Sequence, residues 1–288
     1  MGSRSPTPWQ RLSFQSVLQS ALLWPIAQTQ VPELPLEFVP AVSRRRSHAL
    51  PHYRSALAQQ LAAIAGQLPD GWVSELLTAL HQRQASLLAT ESQAHPLIPA
   101  FSDLQITAIA DGSLLLNFGP KSWSIWLQIA AQDIAAEVDH GDPPRADEGT
   151  AKRILRSPPC PLADRLQLSL LALLHHSTAA CDRDLRWGLA NRGVEDCDRA
   201  VIPVPDHLPQ SPFPGEALLA TLLAAADILA EQGADPHTSL RQGCRIATAL
   251  DDFRAAYPLR VRGTSETGAI AILAATRYIL RLILTGLA

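Results

Sequence analysis

The stretch TSETGAIAILAATRYILRLILTGL, residues 264–287, decides how the rest of the chain is read. It predicts one regular helix over residues 265–288. Thr264 or Ser265 can cap its start through a side-chain oxygen, and Glu266 places negative charge in the first turn. Ile270, Leu273, Leu280, Leu284 and Leu287 recur on one side at helical spacing, and Ile272, Ile279 and Ile283 widen that side. Arg277, Arg281 and Thr285 form a polar seam at i, i+4 and i+8. A helix with so wide an apolar face needs neighbours to bury it. Two segments upstream supply them. Residues 215–231 carry Leu218, Leu219, Leu222, Leu223, Ile228 and Leu229; residues 238–257 carry Leu240, Ile246, Leu250 and Phe253, with Pro258 ending the helix. A fourth helix over residues 162–180 presents Leu166, Leu170, Leu173 and Leu174. The C-terminal part therefore reads as a helical bundle, residues 162–288.

Upstream of the bundle, residues 138–161 form a Pro-rich linker, acidic at first and then basic, in which Pro143, Pro144, Pro158, Pro159 and Pro161 forbid a continuous helix. Residues 1–137 read as a small α+β domain. Helices are expected over residues 9–30 (stopped or kinked at Pro25), 53–67, 71–88 and 122–132. Between the last two the period changes from helical to alternating. Leu104, Ile106 and Ala108 alternate, as do Leu114, Leu116 and Phe118, and Asp111-Gly112 between them signals a two-residue hairpin turn. Leu34–Val39 is a candidate edge strand, and Arg44, Arg45 and Arg46 are placed in a loop. The fold class is mostly α, with a small α+β N-terminal domain and a C-terminal bundle.

The chain has 288 residues, 47% of them apolar, and a net charge of −3. Nothing global marks it for nucleic acid or an anionic membrane. Arginine outnumbers lysine heavily: only Lys121 and Lys152 are present, a bias that a GC-rich bacterial genome also produces. Cys160, Cys181, Cys197 and Cys244 are scattered, which suggests reduced thiols and a cytoplasmic location rather than a disulfide framework. The longest apolar run, residues 269–284, carries two arginines and is shorter than the roughly 20 residues a spanning helix needs. No membrane partner is expected.

Four stretches in this order, RLQLSLLALLHHSTAA (165–180), PGEALLATLLAAADILAEQGADPH (214–237), SLRQGCRIATALDDFRAAYPLRV (239–261) and TSETGAIAILAATRYILRLILTGL, resemble the DALR anticodon-binding domain, the C-terminal bundle of arginyl-tRNA synthetases. Phe253 and Tyr257 echo that family's aromatic end of the third helix, and Ala274, Arg277, Ile279 and Leu280 match its A-x-R-x-V-L pattern. HYRSALAQQLA (52–62) and ITAIADGSLLLNFGPKSW (106–123) resemble elements of the N-terminal additional domain of the same enzymes. The resemblance implies the two RNA-facing ends of such a synthetase without the catalytic domain. A class I synthetase needs a HIGH-type motif and a KMSKS-type loop, and neither is present. His48 and His52 flank Ala49-Leu50-Pro51, and two lysines cannot build a KMSKS equivalent. No catalytic residue, metal ligand set or cofactor is expected.

The function this implies is non-catalytic tRNA binding, with tRNA(Arg) the specific candidate partner. Arg241, Arg245, Arg260, Arg262 and Arg277 of the bundle are the candidate RNA contacts, with Arg44, Arg45 and Arg46 beside Tyr53 as a second group. Residues 162–288 hold 12 arginines against 14 acidic residues, so the charge can equally be a solvated face. The alternative is a protein–protein adaptor on the same scaffold. His175 and His176 point about 100° apart on a helix and chelate poorly together. Trp123 and Trp126 are expected to roof the sheet.

Overall fold

The computed structural model describes residues 7–28, 38–45, 52–89, 95–138, 162–193, 215–233, 235–257 and 267–287, with isolated positions at 35, 202, 204–206, 208 and 213. The expected 138–161 linker, Arg46, Arg260, Arg262, Thr264, Ser265, Cys160 and Cys197 lie outside the described residues, apart from Val138 at a helix end. The architecture is mostly helical with one small antiparallel sheet. Contacts divide the chain into two compact units. The first is Met1–Trp126 with Asp206–Pro212 and Ala226–Glu231; the second is Leu127–Pro205, Phe213–Ala225 and Gln232–Ala288.

In the first unit α1 (Pro8–Leu12) opens on a capping box: Gln10 N donates to the Thr7 hydroxyl, and the Thr7 N–H donates to Gln10 Oε1. The single helix expected over 9–30 is two helices. Ser13 is extended (ψ 115°), and its hydroxyl accepts from Ser16 N at 3.0 Å, starting α2 (Phe14–Gln28). Pro25 lacks an N–H but does not end α2, which runs on to Gln28. The first strands also differ from expectation. β1 is Val42–Arg45, so Arg44 and Arg45 are strand residues rather than loop residues, and residues 38–40 are not strand. β2 is His52–Ser55, which moves the start of the next helix, α3 (Leu57–Ala65), past Tyr53. Burial explains this: Tyr53 and Ser55 point inward and His52 and Arg54 outward, so four residues already show a strand's alternation. Gly66, at φ +63°, ends α3, and α4 follows over Pro69–Ala89.

A 3-10 turn (Ile98–Asp103) leads into β3 (Leu104–Ala108), β4 (Leu114–Phe118) and α5 (Pro120–Val138). The hairpin lies where alternation placed it, but its loop is longer than two residues. Gly112 N donates to Ile109 O and Ile109 N to Ser113 O, which leaves three loop residues with Gly112 at φ +77°. A Cβ on Gly112 would lie 2.8 Å from Pro69 Cβ. Left-handed strain and this contact act together, so Gly112→Ala should lower stability by roughly 1–2 kcal/mol, read from the urea midpoint.

The strand order is β1-β2-β4-β3, all antiparallel. The inner face carries buried Val42, Tyr53, Ser55, Leu104, Leu114, Leu116 and Phe118. Helix α2 contacts β1, and α4 contacts β3. Phe118 is the hub of an aromatic cluster, with ring centroids 4.2 Å from Phe14 and 5.9 Å from both Phe101 and Trp123. Trp123 and Trp126 are buried as core, and the Trp126 indole N–H donates to Leu12 O at 2.8 Å.

The second unit contains α6 (Leu162–Ala190), the first ten residues of α7 (Glu216–Gln232), α8 (Pro236–Ala256) and α9 (Thr267–Leu287). Helices α6, α8 and α9 pack on one another. Asp235 caps α8 by accepting from His237 N and Thr238 N, both at 3.0 Å. Glycines set the closest approaches: a Cβ on Gly243 would stand 2.8 Å from a Leu174 methyl, and one on Gly188 3.3 Å from Ile270. Every residue from Ala269 to Leu280 is buried, Arg277 included, so the expected amphipathic helix is in fact the central one. Its length and composition would suffice to cross a membrane, and 67% of that stretch is buried within the protein.

Candidate functional site

The arginines of the bundle divide into two kinds. Arg277 is 4% exposed, and its Nε lies 2.5 Å from Asp182 Oδ1 on α6. Arg281 Nη2 approaches the same carboxylate at 3.5 Å. Arg254 Nε reaches Asp184 Oδ2 at 2.7 Å, with Asp251 at 3.8 Å from Nη1. Asp182 and Asp184 are two residues apart on α6, so their side chains leave it in different directions, one toward α9 and one toward α8. Cys181 beside them is buried. Burial pushes its thiol well up, and the two carboxylates push the same way, which makes it a packing residue rather than a nucleophile. The seam of Arg277 and Arg281 thus holds helices together. Arg277 does not face solvent, which corrects its place among the candidate RNA contacts.

Arg241 and Arg245 are the other kind. Both are exposed on α8, one turn apart, and neither has an ion pair among the described residues. His237 lies one turn before them and Thr248 about one turn after, all exposed, so after the exposed Asp235 cap the solvent side of α8 carries a short basic line, which gives way to acid at Asp251 and Asp252.

In the first unit Tyr53 is fully buried and cannot stack a base, which corrects its expected role beside the arginines. Its hydroxyl donates to Asp227 Oδ2 at 2.7 Å. Asp227 Oδ1 accepts from the Ser13 hydroxyl at 2.9 Å and from Gln15 N at 3.2 Å, in the first turn of α2. This carboxylate is buried. Desolvation raises its pKa, while the three donors and the charge of Arg44 act in the opposite direction. Tyr53 is raised as well, by burial first and then by Asp227. The chain positions of these groups gave no hint of their meeting. One signal existed: Asp227 is the lone charge in the otherwise apolar run Leu222–Ala230.

Arg44 lies on the inner side of β1, opposite Tyr53, and Arg45 on the outer side, exposed. Arg54 is tied to the hairpin: its Nε donates to Ser113 Oγ at 2.9 Å, and it ion-pairs with Asp111. Ser113 hydrogen bonds, aided by Arg54, hold the Asp111 carboxyl below its usual range. His175 and His176 are both exposed, and no group of three or more His, Cys, Asp or Glu is placed to hold a metal among the described residues.

The class these observations define is a mostly helical protein with a four-stranded antiparallel sheet, a helical bundle and an exposed basic line on one bundle helix. No family model, curated protein or solved structure matches the chain.

Proposed function

We propose that this chain is a non-catalytic RNA-binding protein that uses a DALR-like bundle to contact tRNA, with the anticodon region as the expected contact. The observation that supports it is the division among the arginines. Arg254, Arg277 and Arg281 are bound to carboxylates, whereas Arg241 and Arg245 extend into solvent, available to phosphates. Successive helical turns space them about 6 Å apart, which suits neighbouring phosphates of one strand.

Binding of total tRNA and of a tRNA(Arg) transcript, measured across a salt series, tests this. Arg241→Ala and Arg245→Ala should each weaken binding and reduce the salt slope by about one. Absence of binding at low salt would refute the reading. A second reading, a protein–protein adaptor, is favoured by the exposure of Leu23, Val39, Ile64 and Leu68 in the N-terminal unit, the last of them 80% exposed. A pull-down that recovers a protein lost on Leu68→Ser, with no RNA bound, would establish it instead.

A further inference from the structure

His95 fastens the segment that enters the 3-10 turn to α1. Its Nε2 lies 3.1 Å from Gln10 O, and its Nδ1 lies 3.2 Å from Leu97 N. A backbone amide can only donate and a backbone carbonyl can only accept. The two contacts therefore fix the tautomer: Nδ1 accepts from Leu97 N, and Nε2 carries the proton that it donates to Gln10 O. Both partners belong to backbone that is itself tied down. Leu97 is fully buried, Ile98 N donates to His95 O at 3.1 Å, and Ala100 N donates to Leu97 O at 3.0 Å. On the other side Gln10 belongs to the capping box of α1, a helix that buries Trp9 and Leu12. The half-buried imidazole is thus the bridge between two segments 85 residues apart in the chain.

A second proton has one place to go, Nδ1, and there it would point at the Leu97 N–H, donor against donor. We propose that His95 is a proton-operated clasp: the neutral ring joins α1 to the entry of the 3-10 turn, and the imidazolium leaves the Leu97 amide and releases α1. The inference stands apart from the RNA reading. Burial, the largest influence, lowers the histidine's pKa; the bond to Gln10 O acts against this, and the charge of Arg11 acts with it. Arg11 is the one charged side chain on α1, and residues 96–102 carry none. The closed clasp therefore binds fewer protons than the open one. Its contribution is fully present above the ordinary histidine value of about 6.5 and is lost as pH falls through the lowered one.

The test is amide hydrogen exchange and ring-nitrogen NMR on the full chain across a pH series. The protection factor of the Leu97 amide should fall by up to about tenfold per pH unit once pH drops below about 6.5. That of the Arg11 amide, which donates to Thr7 O inside α1, should fall with it. His95→Asn can place a carboxamide oxygen where Nδ1 stands, so it should keep Leu97 protected and remove the acid dependence. Should that variant fail to fold, the wild-type spectrum still decides. It should show the proton on Nε2 at neutral pH and a ring titration that coincides with the loss of Leu97 protection. A proton on Nδ1 at neutral pH overturns the inference. So does a ring that titrates while Leu97 stays protected, or an acid dependence unchanged in His95→Asn. Loss of protection at Leu97 with Arg11 unchanged overturns the release of α1.

Discussion

Asp227→Ala will destabilise the N-terminal unit by roughly 3–5 kcal/mol, because it leaves three buried donors without their acceptor. Those donors are the Tyr53 hydroxyl, the Ser13 hydroxyl and the Gln15 amide at the start of α2. Five of the six tryptophans, at 9, 24, 72, 123 and 126, lie in this unit, so tryptophan fluorescence during urea unfolding reports mainly on it. Asp227→Asn should cost far less. Its carbonyl oxygen can take the Oδ1 place and keep Ser13 and Gln15, and Tyr53 can rotate its hydroxyl to accept from the amide. An alanine variant as stable as the asparagine one would show that the cluster contributes packing only.

The same carboxylate gives a signed pH dependence. Its folded pKa is raised, burial being the largest cause, so the folded state keeps the proton to higher pH than the unfolded state does. The stability it contributes is fully present below the unfolded carboxylate value, near 3.9, and is lost as pH rises through the folded value. The wild type should therefore lose stability relative to Asp227→Asn as pH rises across that window, and the two profiles should run parallel above it. A gap that widens toward acid in favour of the asparagine variant would reverse the sign and contradict the assignment.

The second large effect is at Arg277. Arg277→Ala should cost roughly 3 kcal/mol, the lower end for breaking a buried pair, because Asp182 is 25% exposed and keeps Arg281 at 3.5 Å. Part of the loss is packing of the arginine stem against the bundle core. The double variant Arg277→Met, Asp182→Leu should recover much of it, since an apolar pair of similar volume needs no desolvation of charge. Thermal melting followed by helical circular dichroism separates the three proteins. If the double variant is no better than Arg277→Ala, the contribution lies in the shape of the arginine and not in its charge.

Much of the architecture was legible because burial leaves a period in the sequence. Leu114, Leu116 and Phe118 fall at every second residue, and Leu218, Leu222 and Leu229 fall at helical intervals, so β4 and α7 could be placed directly. The two N-terminal strands could not. Val42–Arg45 and His52–Ser55 are four residues long and bury only Val42, Tyr53 and Ser55, too few to establish a period. The role of Ser13 was hidden for another reason: a serine among helical residues interrupts the helix only where a partner fixes its hydroxyl, and that partner is 214 residues away. The candidate contacts were legible as arginines but not as free or bound ones. Arg241 and Arg277 look equivalent in sequence; what separates them is Asp182 on another helix.

The presence of Ala226–Glu231 in the N-terminal unit has a consequence for how the protein is made. As the chain leaves the ribosome, its first 126 residues emerge with the start of α2 and the Tyr53 hydroxyl still lacking their acceptor, and about another hundred must be synthesised before Asp227 arrives. The N-terminal unit is then completed late, after most of the bundle sequence has been translated. An N-terminal fragment cut at the sheet is not a finished domain, and translational pausing between residues 126 and 231 prolongs the interval in which its aromatic core is most open to chaperones and proteases.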